Sequence, residues 1–242
     1  MAGIPRRSQS LAALQGQSPC GSEHDYRLHS ERFVAQVTRI FLNVPPGGLP
    51  GRIFATLKML GEFADVDRCY VFDLDEAGTN LVKVQEWDAA GIEPMGPDGE
   101  ALPVATWPWA WPLLAANQVV RVERLEDLPP EAGIEKERWQ GFNLRSLLVV
   151  PTQREGGVYG TFGFESVRKE NAWTDDDISL LRTVAEVFGQ ALARHRAEAR
   201  MQALLRRARQ QQAALGALAV NETIAAGILE PAFRAIAKAA AQ

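Results

Sequence analysis

Apolar residues in the first part of the chain fall at helical spacing. Phe33, Val37, Ile40 and Phe41 follow Ser30, a residue type that caps helices, and Ile53, Leu57, Leu60 and Phe63 or Ala64 repeat the pattern after the breaker "PPGGLP". The period then drops to two. "RCYVFDLD" and "NLVKVQEWDA" read as strands joined by the short Gly-containing "EAGT", which predicts a hairpin. Residues 90–106 are rich in Gly and Pro and read as a loop. Beyond it, "TWPWAWPLLAAN" suggests a short helical piece and "VVRVERL" a short strand. "LPPEAGIEKERWQGF" suggests another short helix, begun by Pro130 and edged by Trp139 and Phe142. "RSLLVVPTQR" and "GVYGTFGFESV" pair as a second hairpin across "EGG". Thr174 caps the last long helix, whose first turn carries Asp175, Asp176 and Asp177 where acids complement the helix dipole.

This order predicts an α+β fold: an antiparallel sheet with helices from both ends of the chain on one face, and a lid of loops and short helices from residues 88–143 on the other. Three of the six tryptophans, Trp107, Trp109 and Trp111, fall within that excursion. Such rings either plug a core or wall a cavity, and three on so short a segment cannot all face one way.

The last helix is predicted to run for about 45 residues, since Pro is absent and Ala, Leu, Arg and Gln abound. Ile178, Leu181, Ala185, Phe188 and Leu192 keep helical 3-4 spacing, and Leu204, Ala208, Gln211, Leu215 and Leu218 resume it in another phase. The expectation is a parallel homodimer through this helix, with the phase break near residues 195–204 as a point where rotation is passed on. A solvated linker helix is the plainer alternative.

Composition narrows the function. The chain has 242 residues, 46% hydrophobic and 23% charged, and a formal net charge of -4, so it is globular and has no basic footprint for nucleic acid or anionic membrane. Neither a signal-peptide core nor a bilayer-spanning run is present, which predicts a cytoplasmic protein. Cys20 and Cys69 lie in contrasting contexts, one polar and one apolar, and offer no disulfide or zinc site. His24, His29 and His195 fall outside the predicted domain core, so no Ser-His-Asp constellation, metal site or cofactor is expected. The acids Asp73, Asp75, Glu86, Asp88 and Glu165 read as solvated charges at strand ends and edges. Glu165 is the exception, because it ends the strand nearest the expected cavity and can accept hydrogen bonds from a ligand.

The stretch from "RSLLVVPTQR" through "LARHRAE" resembles the C-terminal half of a GAF domain, and "CYVFDLDEAG", "VQEWDAAGIEP" and "PWAWPLLAANQVVRVERLEDLPPEA" resemble the front half found in bacterial sensors upstream of histidine kinase or diguanylate cyclase outputs. The resemblance covers roughly residues 30–200. It implies a non-catalytic module of a cytoplasmic signal-transduction protein that binds a small molecule, transmits through a dimeric exit helix, or both; the alternative is a purely structural dimerisation module. In the family the excursion encloses a pocket, so Trp107, Trp109 and Trp111 would form its lid or wall, with Trp87, Trp139, Phe142 and Glu165 beside them. The Cys-His pair of bilin-binding members is absent, and "RKENAWTDDD" keeps only an echo of the cyclic-nucleotide constellation. The implied organisation is a flexible tail over 1–28, a GAF domain over 29–196, a linker helix over 197–218 and the opening of a further GAF domain over 219–242.

Overall fold

The structure is a computed structural model of the chain and describes residues 19–42, 44–45, 47–154, 157–225 and 229–240. The chain divides into two units, Met1–Ala191 and Leu192–Gln242.

In the first unit, helices α1 (Pro19–Leu42) and α2 (Leu49–Ala64) precede strands β1 (Arg68–Leu74) and β2 (Asn80–Asp88). Helix α1 starts earlier than Ser30, so residues 19–28, expected as tail, are helical; the rest of that expected tail lies outside the described residues. The excursion holds a short edge strand β3 (Ala101–Pro103), helix α3 (Ala110–Ala115), strand β4 (Val120–Val122) and helix α4 (Gly133–Gly141). Strand β3 corrects the reading of residues 90–106 as loop throughout: its backbone pairs with β2 although its sequence lacks strand periodicity. Strands β5 (Ser146–Arg154) and β6 (Gly157–Ser166) lead into α5 (Asp175–Ala225). Thr174 and Asp177 cap α5 reciprocally. The Asp177 carboxylate accepts from the Thr174 N–H at 2.8 Å and hydroxyl at 2.7 Å, and the Asp177 N–H donates to Thr174 Oγ1 at 3.2 Å.

The six strands form one antiparallel sheet in the order β3-β2-β1-β6-β5-β4. Alternation then sorts the side chains. Phe162 and Phe164 of β6 face the helices, where Phe188 of α5 sits between Phe162 and Phe41, with ring centroids 5.0 and 4.9 Å away. Leu57 and Leu60 of α2 and Leu181, Val184 and Ala185 of α5 complete a buried layer there. Leu181, Ala185 and Phe188 are thus consumed by the domain's own core, which corrects their assignment to a dimer seam; Leu192 is also buried and Ile178 is half-buried. Their spacing records packing on a sheet, which demands the same 3-4 repeat as a coiled coil.

A bulge breaks the alternation of β2. Val71 pairs with Gln85 and Phe72 with Lys83, leaving Val84 without a counterpart. Leu81 and Lys83 lie on the lid side, and after the bulge that side passes to Glu86 and Asp88. Trp87 consequently turns to the helix face, where it rests on Gly61 of α2; a Cβ on Gly61 would collide with the indole.

The second unit contains the remainder of α5, continuous through residues 195–204 to Ala225, and helix α6 (Leu229–Ala240). Met201, Leu204, Leu205 and Leu215 on α5 and Phe233 and Ile236 on α6 are exposed.

Candidate functional site

The lid face of the sheet carries two apolar clusters. Tyr70, Phe72 and Leu81 make one, joined by Met95 and Leu102; Leu114, Val120, Trp139, Leu147 and Val149 belong to the other. Trp111 packs against both. Between them lies a cavity of about 70 Å³, several times the space one water needs. Its walls are Tyr70, Phe72, Leu147, Val149 and Thr161 from the sheet, Met95, Leu102, Trp107, Trp111 and Trp139 from the excursion, and Glu165 from the end of β6.

The Trp segment is held by one buried acid. Glu135 of α4, fully buried, accepts from the backbone N–H groups of Trp109 at 2.7 Å and Ala110 at 3.1 Å through Oε1. This satisfies orphan donors at the start of α3 and ties it to α4. Trp107 stacks on Trp139 with centroids 6.1 Å apart, Trp109 meets Trp139 edge-on at 6.4 Å, and the Arg138 guanidinium lies 5.0 Å from the Trp107 ring centre. Among the described residues neither the buried Trp107 Nε1 nor Glu135 Oε2 has a hydrogen-bond partner.

Beside the cavity runs a buried ionic network. Arg68 at the start of β1 donates to Asp88 at 2.8 Å and to Glu165 at 2.6 Å, and approaches Glu86 at 3.2 Å; Lys83 pairs with Glu86 at 2.7 Å. The same residues bind the loop after β2. Arg68 donates to the Glu93 carbonyl, Lys83 to the Gly96 carbonyl, and Glu86 accepts the Met95 N–H. The network therefore fixes the segment that brings Met95 to the cavity. Burial alone would lower the Arg68 pKa, but Glu165 and Asp88 outweigh it and raise it. Three carboxylates against two cations leave an excess of negative charge. Asp88 is pushed up to about 6, by burial first and by Glu86 after it, with Arg68 pulling the other way. Burial likewise raises Glu165 against the pull of Arg68. Tyr70 rises through burial and through Glu165, with which its hydroxyl is hydrogen-bonded. The hydroxyl end of its ring sits over Gly163, its cross-strand partner, where any Cβ would strike it.

Of the expected ligand residues, Trp107, Trp111, Trp139 and Glu165 come together at this cavity. Trp109 borders a separate surface groove with Arg121 and Arg124, Trp87 is on the opposite face, and Phe142 is 43% exposed just beyond α4. Glu86, Asp73 and Glu165 are buried, which corrects the reading of the first two as solvated charges. Half-buried Asp75 instead organises the β1–β2 turn, accepting from the Asn80 side chain and the Thr79 N–H, which hold its carboxyl at about 2. Tyr70 and Phe72 were legible as one face of "RCYVFDLD"; Arg68 and Lys83 carried no such signal. Burial raises the Cys69 thiol well above its ordinary range, so it is not a poised nucleophile. Among the described residues there is no group of three or more His, Cys, Asp or Glu able to hold a metal, and no helix long and apolar enough to cross a membrane.

The sequence profile of the GAF domain matches residues 51–192. The methanogenesis regulatory histidine kinase FilI of Methanothrix harundinacea is 27% identical over 151 residues, which are 61% of this chain and 17% of that protein. The phycocyanobilin-bound GAF domain of a cyanobacterial phytochrome superposes with a TM-score of 0.59 at 17% identity, covering 70% of this chain and 96% of that one. The GAF domain of a phosphoenolpyruvate-protein phosphotransferase from Coxiella burnetii gives 0.57 at 15% identity, covering 72% and 98%. At such identities the structural likeness is one of fold.

Proposed function

The chain belongs to the GAF domain family, and from that premise we propose that it is a non-catalytic sensory module that admits a small molecule to the lid-face cavity and passes its state on through α5. The observation that carries this reading is the space left between two apolar clusters that, among the described residues, share only Trp111 as a common neighbour. A domain that needed only a filled core would close that gap, because voids cost packing energy. We place the sensory domain over 29–196, a linker over 197–218 and the opening of a following domain over 219–242. The similarity to a regulatory histidine kinase, of which the chain spans 17% of the length, supports a place upstream of a kinase-type output in a cytoplasmic signalling protein. Native mass spectrometry of the chain purified from its source organism tests the reading: retained small-molecule mass is expected, and repeated bare polypeptide mass overturns it.

The alternative, a structural dimerisation module, draws on Met201, Leu204, Leu205 and Leu215, apolar and exposed on α5. In that reading the second copy pairs along Leu204, Ala208, Gln211, Leu215 and Leu218 rather than along the core-bound residues of the first turns. Light scattering at micromolar concentration decides it, a dimer being expected and a monomer removing it. The two readings are compatible, since a sensor that signals through a helix gains from a paired helix.

A further inference from the structure

The lid-face cavity is small. Its volume of about 70 Å³ is roughly half that of an apolar cavity, about 150 Å³, known to accept benzene, so a wall must move before a ligand of even that size enters. Most of the wall is fixed. Strands β1, β5 and β6 beneath it each pair with neighbours on both sides, and the α3–α4 arm is pinned by Glu135 on two backbone N–H groups and by the Trp107–Trp139 stack. The segment between β2 and β3 is held differently. Among the described residues no backbone hydrogen bond joins residues 90–98 to any strand; on either side, the Ala89 and Gly99 N–H groups donate to the Asp67 and Lys83 carbonyls at 2.8 and 2.7 Å. Side chains restrain it instead. Glu86 accepts the Met95 N–H at 2.9 Å, Arg68 and Lys83 donate to the Glu93 and Gly96 carbonyls, and Gln85 and Arg168 reach Asp98 and the Ala90 carbonyl. Gly91 and Gly99 bracket the segment at φ of 81° and 84°, a backbone region that glycine enters without strain. At its centre, half-buried Met95 lines the cavity.

We infer that residues 90–98 are the door of the cavity: they swing out about Gly91 and Gly99 and draw Met95 off the wall, with Arg68, Lys83 and Glu86 as the latch. The inference rests on the sensory reading above and supplies its way in. The latch also ends on the cavity itself. One planar guanidinium, that of Arg68, holds the Glu93 carbonyl through Nη2 and the wall residue Glu165 through Nη1 at 2.6 Å, so loop and wall share a single cation. Lys83 is divided in the same way between Glu86, at 2.7 Å, and the Gly96 carbonyl. Opening therefore exchanges hydrogen bonds to the loop backbone for bonds to water while the ion pairs stay made, and the helix-face core is untouched.

Chemical access to the wall tests this on the full chain. Val149→Cys puts a thiol on the β5 part of the wall, and Cys69, buried and pointing to the opposite face from Tyr70, is the internal control. With iodoacetamide and peptide mapping, the introduced thiol is expected to react at a rate that low urea leaves unchanged, as local opening does, and Cys69 at a rate that rises steeply with urea. Lys83→Met keeps the stem and deletes the tie to Gly96. It should speed the introduced thiol about tenfold more than Cys69, the effect of one charge-assisted hydrogen bond. Equal acceleration of both thiols, or an introduced thiol no faster than Cys69, overturns the door. Acceleration by Glu135→Gln in place of Lys83→Met moves the opening to the α3–α4 arm and overturns it as well. If Val149→Cys does not fold, amide exchange of the unmodified chain is the readout: the Met95 N–H should exchange independently of low urea, and exchange in step with the β6 amides overturns the door. Retained small-molecule mass on protein from the source organism, with the segment shut, means that the door alone is wrong. Bare mass with the segment opening means that the sensory reading falls and the motion stands.

Discussion

The two faces of the sheet are built from alternate residues of the same strands, yet they are finished differently. On the helix face Phe162, Phe188, Leu57, Leu60 and Leu181 are almost wholly buried and the rings interlock. On the lid face the apolar residues divide into two clusters around an unfilled space, and the polar residues are drawn into a network that clamps a loop. The contrast sets a face closed by interlocking rings against one that keeps a space, the space that the proposed sensory role would use. It also explains why a single period-two pattern serves both: the strand alternation decides which face a residue joins, and the covering segments decide what that face does.

The sharpest break of this comparison is Phe188→Ala, which empties the centre of the helix face. A loss of about 3–5 kcal/mol in urea unfolding is expected, and a loss below about 1 kcal/mol would mean that this face does not carry the fold. Matched glycine substitutions come next. Gly61→Ala places a Cβ against the Trp87 ring, so about 1–3 kcal/mol should be lost although Ala is the better helix former. Gly163→Ala strikes the Tyr70 ring, which borders open space and can tip into the cavity. The expected result is a smaller stability loss than at Gly61, and equal losses at both glycines would erase the distinction between the faces. The smallest effect is electrostatic. Asp88 has its carboxyl at about 6 in the fold and 3.8 as the reference value for the unfolded chain, so the fold binds the extra proton. Its contribution is complete below about pH 4, declines as pH rises to about 6 and is gone above that. Asp88→Asn should flatten urea midpoints across that window, and an unchanged slope would place the titration elsewhere.

Much of this was readable from residue order. The hairpins, the capped final helix and the α+β arrangement followed from periodicity and turn residues, since each is decided by local chemistry. The Trp107–Trp111 segment was likewise identifiable as lid material by its position. Trp87 was not placeable, because straight alternation from Leu81 puts it on the cavity side and the bulge at Val84 reverses that. Bulges depend on the partner strand, and no residue in "NLVKVQEWDA" announces one. The burial of Glu86 was hidden for a related reason: Arg68 and Lys83 pair with it in a site assembled from β1, β2 and β6, and a charge next to an apolar run looks the same whether its partner is water or a distant strand. The 3-4 spacing of Leu181, Ala185 and Phe188 could not by itself separate a sheet from a second helix as its target.

The central pairing of β1 with β6 has a consequence for biosynthesis. Arg68 and Glu165, joined across these neighbouring strands, are 97 positions apart. During translation the N-terminal hairpin must wait, with β1 as a raw edge, until nearly all of the excursion and the second hairpin have left the ribosome. Long-range pairing of this kind slows folding and exposes an unpaired strand while it lasts. It also makes the two hairpins separable halves of one sheet, so a chain cut in the excursion and supplied as two fragments should reassemble through β1 and β6, each half acting as the missing edge of the other.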